Sequence, residues 1–398
     1  MFGKKTAVST DPAKINELLS RGVENVLPKD LGLKKLQSGQ KLRVYLGIDP
    51  TGAKLHLGHA VALRKLRAFS ELGHHAIFLV GSFTAMVGDP TGRDTQREPL
   101  SREQVNKNFK TYKAQAAKLL DFSKIEVRYN HEWLEKLQFT DIMKLASHFT
   151  VQQMLERDMF QERLKREQEL SPNEFLYPLM QGYDSVILDV DCEIGGNDQL
   201  FNMLAGRKLQ RVFGKRDKFV LTTKLIEGTD GRKMSKTYNN CVYLEDEPGE
   251  MYGKVMSITD ALVPIYFQVL TDVGGAEQKR ILAEHPKDAK MALAYEIVRM
   301  YHGESAAKKA QENFDTLFSK GAVPTDVPTI NFIEGQTYSD VFVPAGAVSS
   351  KGELRRLVAG NAMSSMTTGK IITDVNMRPV DGEVVRLGKH RIFKLEKK

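Results

Sequence analysis

Cysteine is nearly absent from this chain: 398 residues hold only Cys192 and Cys241. Two cysteines so far apart exclude a disulfide-stapled scaffold and any cysteine-based zinc spacing, and they suit a reducing compartment. No apolar run is long enough to span a bilayer. Met1 to Asp11 lacks the apolar core of a signal peptide, so nothing argues for export and the expected location is cytoplasmic. Internal repeats are absent too. What remains is ordinary for a soluble protein of two or three domains, with 41% hydrophobic residues.

Positive charge is present and unevenly placed. Residues 345 to 398 carry eleven Lys and Arg against five Asp and Glu, a net +6 out of the chain's +8. A short basic module on a nearly balanced body points to nucleic acid, because neutralising phosphates supplies most non-specific affinity. A solvated tail would show the same excess. The tail is not low-complexity, however: Ser350 to Val358 reads as a capped amphipathic helix, and Lys370-Ile371-Ile372 and Arg391-Ile392-Phe393 read as strands.

Two short segments carry most of the chemistry. In the first, Arg43 to Ile48 reads as a strand, Asp49-Pro50-Thr51-Gly52 as a turn, and Gly58 to Leu72 as a helix stopped by Gly73, with a second strand at Ala76 to Val80. This is a βαβ unit, whose ligands bind beyond the carboxyl ends of the strands. His56 and His59 stand three apart at the helix start, beside exposed N–H groups and the positive end of the helix dipole, and Gly58 lets a nucleotide approach the backbone. In the second segment the turn Gly228 to Gly231 leads into Arg232, Lys233, Ser235 and Lys236, a cationic loop suited to phosphate. Taken alone, the histidines could simply cap a helix and the lysines could lie in solvent.

Together, in this order, His56-Leu57-Gly58-His59 and Lys233-Met234-Ser235-Lys236 resemble the two signatures of the class I aminoacyl-tRNA synthetases, and within them the chain is similar to the tyrosyl-tRNA synthetases of bacterial type. The likeness covers most of residues 30 to 303 and, more loosely, the C-terminus. It implies an α/β fold with a Rossmann-like parallel sheet as catalytic domain, then an α-helical domain and a small α+β RNA-binding domain. The expected boundaries are an N-terminal helical extension at 1–40, the catalytic domain at 41–240 with a dimerisation insertion near 101–205, a helical anticodon-side domain at 241–320, a linker at 321–332, and an RNA-binding domain at 333–398 similar to a ribosomal small-subunit protein.

The resemblance also assigns residues. Tyr45 and Asp184 go to a phenol hydroxyl, and Tyr177, Gln181 and Asp89 to an amino-acid ammonium, with Gln199 on the substrate side. Tyr177, Gln181 and Asp184 stand at i, i+4 and i+7, one face of a helix. A pocket that selects tyrosine over phenylalanine needs such polar groups, which the wrong substrate would leave unpaired. Thr51 and His59 are implied at the reacting phosphates, His56 as support of the nucleotide, and Lys233 and Lys236 over the pyrophosphate, with Arg93 and Arg97 as further phosphate contacts. Gly47, Asp49, Gly58, Gly195, Gly196, Asp198 and Ser235 complete the expected ATP site. Magnesium is expected with ATP, held by phosphate oxygens and water and not by a protein metal site. In the tail, Lys351, Arg355, Arg356 and Lys370 are the RNA-contact candidates. Asn361 to Met366 departs there from the usual glycine turn. Leu46 stands where some members carry a small polar group toward the ribose.

The expected partners are tyrosine, ATP, tRNA and a second copy of the chain, with no membrane. Three other readings share parts of this pattern: a tryptophanyl-tRNA synthetase, a synthetase-derived RNA-binding or splicing protein, and a small-molecule adenylyltransferase. The Tyr45 and Asp184 pair, the intact signatures, and the helical domain with its basic tail weigh against them in turn.

Overall fold

The computed structural model describes residues 7–91, 100–319, 327–388 and 391–398. The chain divides into two compact units, one of which holds nearly everything up to Glu245 and the other most of the chain beyond it.

A six-stranded sheet organises the first unit: β1 (Val23–Leu27), β2 (Arg43–Ile48), β3 (His75–Val80), β4 (Glu126–Tyr129), β5 (Cys192–Gly196) and β6 (Phe219–Thr223), in the order β1-β6-β5-β2-β3-β4. Every pairing is parallel except β1 with β6. The central strands are apolar along their length, as sheets covered on both faces require, with Val44, Leu46, Ile77, Phe78, Ile194 and Leu221 all buried. From β2 the chain winds toward β3 and β4 on one side and later toward β5 and β6 on the other. The order therefore reverses between β2 and β5, where a crevice opens at the carboxyl ends of the strands.

Residues 1–40 differ from the expected helical extension. The described part supplies two helices, Pro12–Ser20 and Lys29–Gln37, but β1 lies between them as the antiparallel edge of the catalytic sheet. Val23-Glu24-Asn25-Val26-Leu27 is too short and too mixed to announce a strand; its pairing with β6 is a tertiary effect.

Helices Pro172–Leu188 and Leu200–Val212 pack closely because glycines meet at their crossing. A Cβ at Gly182 would come 2.8 Å from Leu209 Cδ1 and 3.2 Å from the Gly206 nitrogen. The charged stretch around residues 151–165 forms two short helices, Val151–Leu155 and Asp158–Lys165, and within it Arg163 is buried against Glu174 of the next helix.

In the second unit, helices Pro248–Met256, Pro286–His302 and Glu304–Ser319 pack together, with the Tyr252 and Phe314 rings 5.3 Å apart. The C-terminal segment forms its own four-stranded sheet, β7 (Thr329–Phe332), β8 (Met363–Ser365), β9 (Val384–Leu387) and β10 (Arg391–Lys397), ordered β7-β10-β9-β8 around a core that includes Phe342, Leu354, Val385 and Leu395. The end of the expected linker is thus strand β7, paired in parallel with β10. Lys370 to Ile372 is not a strand: Ile371 makes a single bridge to Ser364. Asn361 takes φ 52°, the left-handed conformation that asparagine tolerates best after glycine, and so performs the expected glycine turn.

Candidate active site

The crevice between β2 and β5 holds a cavity of about 380 Å³. Its wall includes every expected catalytic, amino-acid and nucleotide residue apart from Arg93 and Arg97, which lie outside the described residues. Strand ends deliver Tyr45, Gly47 and Asp49 from β2 and Gly195 and Gly196 from β5. Helix Pro172–Leu188 delivers Tyr177, Gln181 and Asp184, and the lysine loop delivers Lys233, Ser235 and Lys236.

At the start of helix Leu57–Glu71, each histidine satisfies backbone donors that a helix terminus leaves without partners. His56 is the N-cap, its Nδ1 accepting from the Gly58 N–H at 3.2 Å, and His59 Nδ1 accepts from the His56 N–H at 3.2 Å. A Cβ on Gly58 would stand 2.9 Å from the His56 ring, so glycine is needed for the cap as well as for access. The two ring centres are 3.9 Å apart. Burial lowers both imidazole pKa values, and the neighbouring Lys236 lowers them further; His59 is brought to about 3. Both rings are therefore neutral near pH 7, with Nδ1 accepting and Nε2 carrying the proton. Neutral N–H donors beside two lysines are suited to phosphate oxygens.

The lysine loop is held from beneath by Asn240, whose side chain accepts from the Ser235 N–H at 2.8 Å and donates to the Arg232 and Lys233 carbonyls. Met234 is buried, and its flanking lysines diverge. Lys233 pairs with Asp198 at 2.7 Å, and Lys236 donates to the Tyr112 hydroxyl at 3.1 Å.

The amino-acid side is a continuous polar network. Tyr177 donates to Asp49 Oδ2 at 2.8 Å, and Thr84 donates to Asp49 Oδ1 at 2.7 Å. Asn130 Nδ2 lies within hydrogen-bonding distance of both Thr84 Oγ1 and Asp184 Oδ2, and Trp133 Nε1 donates to Asp184 Oδ1 at 2.8 Å. Gly81 lies inside this network: a Cβ there would fall 1.8 Å from Asp49 Oδ1. Asp89 accepts from Thr91 and from Gln199, the latter at 2.6 Å. Burial raises the pKa of the Asp184 carboxyl, which the bonds from Trp133 and Asn130 oppose. Burial also raises the Tyr45 and Tyr177 hydroxyls, with Glu193 adding to the first and Asp49 to the second, so both stay protonated donors.

Sequence reasoning passed over several of these groups. Asn130, Trp133 and Thr84 sit in segments with no motif, and only the fold brings them to Asp184. Glu193 had a visible signal: a carboxylate between Cys192 and Ile194 in an apolar strand, here 1% exposed, calls for a buried partner.

Residues 37–319 match the family described as tRNA synthetases class I (W and Y). The chain belongs to this family. Among its relatives, a tyrosine-tRNA ligase of Thermotoga maritima is 45% identical over 96% of this chain and 98% of its own length. One of Aquifex aeolicus is 42% identical over 96% and 99%. The fold of this synthetase is shared by a C-terminally truncated mitochondrial tyrosyl-tRNA synthetase of Aspergillus nidulans, with a TM-score of 0.65 at 24% identity over 79% of this chain and 95% of that one. It is shared as well by a tyrosyl-tRNA synthetase of Archaeoglobus fulgidus solved with L-tyrosine, with a TM-score of 0.61 at 22% identity over 75% and 99%.

Proposed function

We infer that this synthetase is a tyrosine-tRNA ligase. The observation that carries the reading is that one cavity joins both signature segments to Tyr45, Tyr177, Gln181 and Asp184. The tyrosine carboxylate attacks the α-phosphate of ATP, the bond to the β-phosphate breaks, and pyrophosphate leaves, giving tyrosyl-adenylate. A ribose hydroxyl at the tRNA 3′ end then attacks the acyl carbon and AMP departs. No covalent enzyme intermediate is required, so catalysis rests on positioning and on stabilising charge as it grows on phosphate oxygens.

In this reading Thr51, His59, Lys233 and Lys236 contact the reacting phosphates and His56 supports the nucleotide. Gly195, Gly196 and Asp198 take the ribose. Tyr177, Gln181 and Asp89 bind the ammonium, with Gln199 holding Asp89; Tyr45 and Asp184 take the phenol hydroxyl. Magnesium belongs to the same proposal as the counter-ion of ATP. In this reading phosphate oxygens and water hold the ion.

The domain reading goes with it: the catalytic domain from β1 through residue 240, residues 241–320 on the anticodon side, and β7 through residue 398 on RNA. In the last, Lys351, Arg355, Arg356 and Lys370 are all exposed. Subunit pairing through the insertion is supported by apolar side chains that nothing in one chain covers: Phe139 is 76%, Met143 55% and Val151 66% exposed. Sedimentation equilibrium returning the mass of one chain would overturn that pairing. A cytoplasmic location accords with the two buried free thiols. The test of the whole reading is charging of an unfractionated tRNA pool with labelled amino acids: tyrosine should be attached and acid-precipitable, and attachment of tryptophan instead would refute it.

A further inference from the structure

Behind the phenol-binding wall lies an ion pair that the reaction does not call for. Lys218, on the approach to β6, is 0% exposed, and Glu193 of β5 is 1% exposed; the ammonium contacts the carboxylate Oε2 directly. Burying two charges is costly, and an apolar pair of similar volume would usually stabilise the core as well or better. Their other contacts run toward the cavity. Lys218 Nζ donates to Ser185 Oγ at 2.6 Å, Ser185 Oγ lies 3.2 Å from Glu193 Oε2 and 2.9 Å from the Tyr45 hydroxyl, and Gln181 Nε2 donates to Glu193 Oε1 at 3.0 Å. Tyr45, Gln181 and Glu193 line the cavity, whereas Lys218 and Ser185 stand behind it. The space for this cluster is made by Gly206, where a Cβ would fall 2.6 Å from Ser185 Oγ and 2.7 Å from Lys218 Nζ.

The donor directions are constrained by one fixed end. Lys218 has only donors, so its bond to Ser185 occupies a lone pair of Oγ. Ser185 then has one proton to give, to Tyr45 or to Glu193, and the second lone pair of its oxygen remains. In either case the Tyr45 hydroxyl is held from behind, 2.9 Å from Ser185 Oγ, and keeps a hydrogen-bonding direction for the cavity. At the other side Asp184 is an acceptor held by Trp133 and Asn130. A phenol between them meets the Tyr45 hydroxyl on one side and donates to Asp184 on the other.

We propose that Lys218, Ser185 and Glu193 are positioning residues that hold the Tyr45 hydroxyl in place, so that a buried relay runs from the Lys218 ammonium through Ser185 and Tyr45 to the substrate hydroxyl and on to Asp184. Glu193 balances the ammonium and ties the relay to Gln181. The inference rests on the reading of Tyr45 and Asp184 as the phenol site. A substrate without the hydroxyl leaves the cavity sides of Tyr45 and Asp184 without a partner, so the relay acts on selectivity and not on phosphate chemistry.

The test is pyrophosphate exchange with tyrosine and with phenylalanine, read as the ratio of the two kcat/KM values. Ser185→Ala breaks the relay without changing charge and leaves Lys218 with Glu193; the ratio is expected to fall about tenfold or more, chiefly through a raised tyrosine KM. The double variant Glu193→Gln with Lys218→Met removes both charges together and is expected to lower the ratio likewise, which covers the case in which Ser185→Ala fails to fold. A merely structural cluster would lower the melting temperature and leave the ratio unchanged, and that result overturns the proposal. Tyr45→Phe separates the two levels. If it lowers the ratio while the relay variants do not, only the relay is wrong. If it leaves the ratio unchanged, the phenol-site reading itself fails.

Discussion

Lys233 and Lys236 share a loop but have different partners, the first on Asp198 and the second on Tyr112 beside the histidines. Lys236 also contributes to lowering the pKa of both imidazoles, so its charge stands beside them, where the proposed reading puts the leaving pyrophosphate. Lys236→Ala should therefore raise the activation barrier by roughly 2 to 4 kcal/mol and leave tyrosine binding unchanged, because the lost contact belongs to the transition state. Pre-steady-state adenylate formation across tyrosine concentrations separates the two: an unchanged rate would remove Lys236 from catalysis. At this scale the sequence was informative where chemistry comes in clusters. The histidine pair, the lysine loop and the i, i+4, i+7 set all reach one cavity. It was silent on Asn130, Thr84 and Trp133, single polar residues whose meaning arises only when the segments that follow β3 and β4 are laid against helix Pro172–Leu188.

Among the elements, the strands with strong apolar runs were legible, since β2 appears at Arg43–Ile48 and β3 within a residue of the expected start. Strand β1 was not, because five mixed residues become a strand only when β6 offers an edge. The strand expected at Lys370 to Ile372 fails for the converse reason: Ile371 finds one bridging partner in Ser364 and no ladder. The tight crossing of Pro172–Leu188 with Leu200–Val212 depends on glycines invisible to hydrophobic periodicity. Gly206→Ala should cost about 1 to 3 kcal/mol, since the added methyl falls inside contact distance of Ser185 and Lys218, neither of which has space to retreat. Thermal unfolding checks this, and a midpoint equal to that of the parent protein would show that the crossing has room for a methyl group.

For the whole molecule, acid should destabilise the fold. His59 is brought down to about 3 and buried His74 to about 4, burial being the main cause in both. An unfolded histidine titrates near 6.5, so between that value and these the unfolded chain binds protons that the folded chain refuses. The stability these groups contribute is complete above about pH 6.5 and is lost as pH falls toward 4 and 3. Melting temperatures should decline steadily from pH 7 to pH 5, and a flat profile would contradict the neutral assignment of the rings. The basic C-terminal module makes a separate demand. Arg355→Ala with Arg356→Ala should weaken tRNA binding and reduce the slope of log affinity against log salt by roughly one to two, measured by filter binding at several salt concentrations.

These scales meet in one claim, that a single cavity activates tyrosine in particular. Amino-acid-dependent exchange of pyrophosphate into ATP, run on the full chain with tyrosine, phenylalanine and tryptophan, tests it directly. Exchange should be strong with tyrosine and close to background with the other two. Exchange driven by tryptophan, or by none of the three, would contradict that claim.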